Sequence, residues 1–77
     1  MYREHELVVL TRDVPADGLI TGDVGTVVGS YGNGGYEVEF TTADGHTLAV
    51  ATLGESDIRL RANSEILHVR GVAQHAS

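Results

Sequence analysis

The chain has 77 residues, of which 42% are hydrophobic, and it carries a formal net charge of −6 at pH 7 with no cysteine. This length allows one domain near the lower size limit for a single apolar core, and the missing cysteines exclude disulfides and zinc–thiolate sites. Eleven acidic residues stand against five basic ones, all arginine, which disfavours binding to nucleic acid or to an anionic membrane. No signal peptide or membrane-spanning run is recognisable, so we expect a cytoplasmic protein.

Apolar runs separated by turn residues predict five short β-strands. The predicted strands are residues 6–11, 24–31, 36–42, 47–53 and 58–61. In the third strand Tyr36, Val38 and Phe40 alternate with Glu37 and Glu39, so the two sets should lie on opposite faces. Residues 12–23 are predicted to form a long loop, and residues 54–57 a single turn between the last two strands. Within the long loop, Leu19 and Ile20 are expected to fold back as a lid over one end of the structure.

Glycine placement indicates the overall architecture. The run Gly22-Asp-Val-Gly25-Thr-Val-Val leads through a glycine-rich turn into the third strand. This pattern is typical of small, strongly bent β-barrels of the SH3-like type, because glycine allows tight turns and close backbone approach. The predicted structural turn glycines are Gly22, Gly25, Gly34, Gly35 and Gly45.

The predicted fold is therefore all-β, a small five-stranded SH3-like barrel over residues 1–61 with a C-terminal extension over residues 62–77. The extension contains Glu65–Arg70, which has the composition of a strand, and we expect it to add a strand to its own barrel or to a neighbouring copy. Pairing with a neighbouring copy would make a homodimer through the C-terminal tail. Period-two placement predicts a core of Val8, Leu10, Leu19, Val24, Val27, Val38, Phe40, Val50, Ile58 and Leu60.

The residue pattern argues against catalysis, cofactors and metals. None of the four histidines has the spacing of a metal-ligand motif, and there is no thiol to serve as a nucleophile. Glu37 and Glu39 could form a catalytic carboxylate pair only in a pocket that raises one pKa. We expect them instead on a solvated strand face, paired with Arg59 or Arg61. We therefore expect a protein that is not an enzyme, with no catalytic residues, no cofactor and no metal site.

Seven short segments together carry a resemblance to a known family. They are Val8-Val-Leu10, Asp13-Val-Pro15, Gly18-Leu19, Gly22-Asp-Val-Gly-Thr-Val-Val28, Tyr36-Glu-Val-Glu-Phe40, Asp44-Gly45 and Thr52-Leu-Gly-Glu-Ser-Asp57. Over roughly residues 6–60 the chain resembles the DUF4926 family of small bacterial proteins. The resemblance implies an SH3-like barrel of unestablished activity. Proteins of this kind are often short stand-alone chains, so the resemblance also implies an accessory or neutralising partner in a gene pair.

A looser resemblance connects the chain with the KOW-type motifs of ribosomal and transcription-elongation proteins. It rests on the glycines and the valine of Gly22-x-x-Gly25-x-Val27. The resemblance implies a module that binds RNA or a ribonucleoprotein, and this is the alternative function. In this chain the corresponding loops carry acidic residues where those modules use basic and aromatic ones.

Acidic side chains provide the main candidate binding face. Six of them are predicted to form one acidic face of the barrel: Asp13, Asp17, Asp23, Glu37, Glu39 and Asp44. Opposite potentials steer association and disfavour wrong partners, so an acidic face suits a basic partner protein. The sequence therefore predicts a non-catalytic protein-binding module that binds neither nucleic acid nor membrane, and an accessory or toxin-neutralising role is the expected form of this binding.

Overall fold

The computed structural model describes residues 2–61 as five β-strands and two short 3-10 helices. The strands are β1 (Leu7–Leu10), β2 (Val24–Ser30), β3 (Gly35–Thr41), β4 (Thr47–Gly54) and β5 (Ile58–Leu60). The 3-10 helices are Pro15–Asp17 in the β1–β2 loop and Glu55–Asp57 between β4 and β5. All five strands predicted from the sequence are present, with ends shifted by at most one residue. Residues 62–77, including the predicted tail strand, lie outside the described residues.

The strands form one antiparallel sheet in the order β4-β3-β2-β1-β5. The predicted all-β class is confirmed. Within residues 2–61 no ladder joins β4 to β5, so the five strands predicted as an SH3-like barrel form an open sheet that is not closed as a barrel. β5 has only three residues, all paired with β1 on one side, so it presents little backbone for a second ladder on its other side.

A bulge bends the sheet around its core. The register of β2 against β3 shifts between Val27 and Gly29, so Val28 is an extra, exposed residue. Bulges of this kind increase local twist and curvature. The bend lets one face of the sheet curve around a single apolar cluster.

Gly25 serves close packing rather than a turn. It lies inside β2 opposite Val8 and does not have positive φ, which corrects its assignment as a turn glycine. A Cβ at this position would lie 2.6 Å from Cγ1 of Val38 and 2.8 Å from the Phe40 ring. Gly35, also predicted in a turn, is the first residue of β3. Positive φ is found at Gly18, Gly22, Gly32, Gly34 and Gly45.

The core draws its side chains from all five strands and from the β1–β2 loop. Its buried members are Val8, Leu10, Leu19, Val27, Tyr36, Val38, Phe40, Ala51, Leu53 and Ile58. Three predicted core residues are not buried: Val50 is 54% exposed, Leu60 is 47% exposed and Val24 is partly exposed. Val50 is opposite Glu39 in the β3–β4 register, on the outer face. Leu60 shares the face of Val8 but ends the short strand β5.

The β1–β2 loop closes one end of the core through a single residue. Leu19 bridges to Val14 and is 1% exposed, as the lid prediction required. Ile20, the other predicted lid residue, points outward and is 47% exposed. The lid is therefore Leu19 alone.

Tyr2, near the N-terminus, contacts both β5 and β3 through hydrogen bonds that the sequence pattern did not predict. The hydroxyl of Tyr2 donates to the carbonyl oxygen of Ile58 at 3.0 Å, and its N–H donates to the Tyr36 hydroxyl at 3.1 Å. The two tyrosine rings pack edge to face with centroids 5.3 Å apart. Side chains thus connect β5 to β3, which no backbone ladder joins among the described residues.

Candidate protein-binding face

The outer face of β3 presents two carboxylates side by side. Tyr36, Val38 and Phe40 are buried, so alternation directs Glu37 and Glu39 outward. Glu39 pairs with Thr26 on one side and Val50 on the other. Glu37 pairs with Gly29 and Thr52 in the same way. The third strand thus places both glutamates in the interior of the sheet surface, away from its edges.

Hydroxyl groups hold both glutamates in place. Thr47 Oγ1 donates to Glu39 Oε2 at 2.6 Å, and Thr52 Oγ1 donates to Glu37 Oε1 at 3.1 Å. The Tyr31 hydroxyl donates to Glu37 Oε2, and this hydrogen bond raises the pKa of Tyr31. Glu37 and Glu39 were expected to pair with Arg59 or Arg61, and this prediction is wrong. The hydrogen-bond donors to the two glutamates are neutral hydroxyls, and β5, which carries Arg59 and precedes Arg61, is separated from β3 by β2 and β1. The glutamates are therefore oriented without being neutralised.

Asp44 lies in the hairpin between β3 and β4 and organises that turn. Its carboxylate accepts a hydrogen bond from the Thr42 hydroxyl and lies 3.1 Å from Nδ1 of His46. These contacts, that of Thr42 first, lower the pKa of Asp44. The side chains of Asp44 and His46 are both exposed.

The β1–β2 loop contains the remaining three predicted carboxylates. Asp13 accepts from both the N–H and the hydroxyl of Thr21, at 2.7 and 2.9 Å, and these bonds lower the pKa of Asp13. Asp23 Oδ2 accepts from the N–H of Ile20 at 3.0 Å. Asp17 is exposed in the first 3-10 helix. Asp13 and Asp23 therefore also stabilise their own loop.

Strand direction determines how these groups are distributed. Because β2 and β3 are antiparallel with Thr26 opposite Glu39, the start of β2 and the end of β3 lie at the same end of the sheet. Asp23 precedes β2 and Asp44 follows β3, so both lie at the Glu39 end. Glu37 is nearer the opposite end, beside Tyr31. The structure thus joins Glu37 and Glu39 on one strand and places the aspartates in two loops.

Sequence reasoning missed the residues that position the carboxylates. Tyr31, Thr47 and Thr52 are the hydroxyl donors to the two glutamates. Threonines on a strand next to one that carries glutamates are a usable signal, because cross-strand neighbours interact on one face. Using that signal requires the register of the β3–β4 hairpin, which is shifted by an irregularity between Phe40 and Thr41.

Residues 2–61 contain no group of three or more histidine, cysteine, aspartate or glutamate side chains arranged to hold a metal ion. In the same part of the chain, no helix has the length and apolar character needed to cross a membrane.

The fold and the site define a class: a small all-β protein with one antiparallel sheet and an acidic outer strand face. The family model of the domain of unknown function DUF4926 matches residues 4–60, and the chain belongs to this family. The family resemblance read from the sequence is thereby confirmed. No curated protein and no solved structure gives a significant match to the chain.

Proposed function

We propose that this protein is a non-catalytic binding module that engages a basic partner protein through its acidic face. The proposed acidic face combines Glu37 and Glu39 on β3 with Asp13, Asp17 and Asp23 in the β1–β2 loop and Asp44 in the β3–β4 loop. The observation that carries the proposal is the pair of glutamates held outward by neutral hydroxyls.

Preorganisation supports this role. A side chain that is already fixed by hydrogen bonds loses less conformational entropy when a partner binds. Glu37 is held by both Tyr31 and Thr52, and Glu39 by Thr47. Arginine on a partner could then meet carboxylates whose orientation is set in advance.

Charge supports the same partner class. The chain has a net charge of −6, so its field attracts cationic surfaces and repels anionic ones. The Arg12–Asp57 salt bridge and the contact between His46 and Asp44 involve neither Glu37 nor Glu39. Both glutamates thus keep their charge available to a partner.

An accessory or toxin-neutralising role is the biological form that we propose for this binding. A small acidic chain that covers a basic surface can block that surface without any chemistry of its own. The proposed compartment is the cytoplasm, where a chain without cysteines has no need of oxidising conditions.

Quantitative affinity capture tests the proposal. The tagged full chain and its Glu37→Gln/Glu39→Gln variant are used to capture proteins from an extract of the native cells. Basic proteins recovered by the wild type should be strongly depleted with the variant. Their recovery should also fall as salt is raised, because screening weakens exposed charge pairs.

A matched control separates the face from the overall charge. Glu4→Gln/Glu55→Gln changes the net charge by the same amount at exposed positions outside the proposed face. Recovery of the basic proteins should be the same with this control variant as with the wild type. Equal recovery with all three proteins, or equal loss with both variants, would show that Glu37 and Glu39 do not form the binding site.

A further inference from the structure

The hairpin turn between β2 and β3 contains an asparagine followed directly by a glycine. The N–H of Tyr31 donates to the carbonyl oxygen of Gly35 at 3.0 Å and closes the turn. Asn33 and Gly34 are exposed within it, and the N–H of Gly35 donates to Asn33 Oδ1 at 3.1 Å. The ring closed by this hydrogen bond contains both the side-chain carbonyl carbon of Asn33 and the nitrogen of Gly34. The side-chain amide of Asn33 is therefore folded back along the Gly34 peptide.

The nitrogen of Gly34 is accessible. Among the hydrogen bonds of residues 2–61, none has the Gly34 N–H as its donor. Gly34 has a φ of +89°, and a Cβ built on it would meet no heavy atom within 4 Å, so this side of the turn is open to water. The next hairpin differs, because the N–H of Gly45, which follows Asp44, donates to the carbonyl oxygen of Thr42 at 2.9 Å.

We propose that Asn33 is a self-modification site, at which the Gly34 nitrogen attacks the side-chain amide and asparagine is converted to aspartate and isoaspartate. The Gly34 nitrogen loses its proton to hydroxide and forms a bond to Cγ of Asn33. The bond from Cγ to the side-chain nitrogen breaks, and that nitrogen takes a proton from water and leaves as ammonia. Water then opens the five-membered succinimide. Breaking the new bond to Cγ gives aspartate, and breaking the bond to the main-chain carbonyl carbon gives isoaspartate.

The geometry of the turn favours this reaction. Negative charge develops on Asn33 Oδ1 during the attack, and the N–H of Gly35 already donates to that oxygen, as a donor of an oxyanion hole does. Glycine places no side chain beside the attacking nitrogen. Because the amide is already folded back, ring closure loses less orientational freedom.

The modification alters the hairpin at the Glu37 end of the proposed acidic face. A Cβ on Gly35 would lie 3.2 Å from Asn33 Oδ1 and 3.4 Å from the Tyr31 ring, so both side chains flank Gly35. The Tyr31 hydroxyl in turn donates to Glu37. Both products add a negative charge beside this group, and isoaspartate also lengthens the main chain of the turn by a methylene.

Mass spectrometry of the full chain, incubated in mildly alkaline buffer made with water labelled with heavy oxygen, tests the proposal. The peptide that contains Asn33 should give aspartate and isoaspartate forms that carry the label, because opening of the succinimide takes its oxygen from water. Asn63, the other asparagine of the chain, precedes serine and is the internal reference. Asn33 should convert much faster than Asn63. An Asn33 that converts no faster than Asn63 overturns the proposal.

Gly34→Ala isolates the role of the attacking nitrogen. The added methyl group obstructs its approach to Cγ, so conversion of Asn33 should slow by about tenfold or more. Gly32→Ala is the matched control, since Gly32 also has positive φ and open space around its Cβ position, and this variant should convert at the wild-type rate. Equal rates for Gly34→Ala and wild type overturn the proposal. Conversion of the wild type in guanidinium chloride but not in native buffer also overturns it, because the folded hairpin would then protect Asn33.

Discussion

The Nε of Arg12 donates to Oδ1 of Asp57 at 2.7 Å, joining the end of β1 to the second 3-10 helix. Asp57 also accepts from the N–H of Gly54 at 2.9 Å, and its carbonyl oxygen accepts from the N–H of Thr11. One carboxylate therefore connects the start of the β1–β2 loop to the turn that precedes β5. This connection matters because β5 is short and has few backbone bonds of its own.

Replacing Asp57 by Asn should make stability depend less on pH. The hydrogen bond from Arg12, followed by that from Gly54, lowers the pKa of Asp57 in the folded state. A lowered pKa contributes stability above the unfolded value of about 3.9, and this contribution is lost as pH falls through the folded pKa. The Tm difference between wild type and Asp57→Asn should be full at pH 7 and shrink below about pH 4. Asp17→Asn is the control, and a Tm difference for Asp57→Asn that is the same at every pH would contradict the assignment.

Gly25 should tolerate a side chain far less well than Gly34. A Cβ at Gly25 would lie under 3.0 Å from two core side chains, whereas the same atom at Gly34 meets nothing within 4 Å. Gly25→Val should cost about 3 kcal/mol or more through overpacking. Gly34→Ala should cost about 1–2 kcal/mol, because alanine must adopt the positive φ found there. Thermal denaturation checks the order, and equal Tm values for the two variants would refute the packing role of Gly25.

Phe40 should be indispensable to the core, and Val50 should not. Phe40 is 2% exposed and packs in the central cluster, so Phe40→Ala should cost about 3–5 kcal/mol. That is a large part of the stability available to a domain of this size. Val50→Ala removes a side chain that is more than half exposed and should change the free energy of unfolding by less than about 0.5 kcal/mol. Urea denaturation at low protein concentration measures both, and a Phe40→Ala protein as stable as wild type would disprove the core assignment.

The chain should not bind nucleic acid. It has no lysine, and its net charge of −6 opposes the phosphate backbone. Fluorescence anisotropy with single-stranded RNA at moderate salt should show no saturable change. Micromolar binding that weakens with salt would instead support the KOW-like alternative.

The sequence predicted the strands well because each is a short apolar run bounded by turn residues. It misplaced side chains where polar residues did not mark the alternation. Thr47–Gly54 contains no charge, so nothing in its pattern distinguishes Val50, which is exposed, from Ala51, which is buried. In β3, by contrast, Glu37 and Glu39 fix which face is outward. In β5 the arginines mark the alternation as well, but Leu60 is 47% exposed because this short strand ends there.

The candidate face was only partly predictable for a related reason. The outward direction of Glu37 and Glu39 follows from alternation, but their partners follow from the pairing register. The role of Gly25 likewise depends on contacts with Val38 and Phe40, which are distant in sequence. Such long-range contacts cannot be derived from local residue pattern.

The hydrogen bond from Tyr2 to Ile58 spans 56 positions, almost the whole of the described chain. During synthesis Tyr2 leaves the ribosome before all five strands, and its acceptor in Ile58 emerges among the last residues of the sheet. The hydrogen bond between Tyr2 and Ile58 can therefore form only when nearly all five strands have been synthesised. Contacts of such high sequence separation favour slow folding. The nascent chain should therefore lack this hydrogen bond, and its core should stay incomplete, until β5 has been translated.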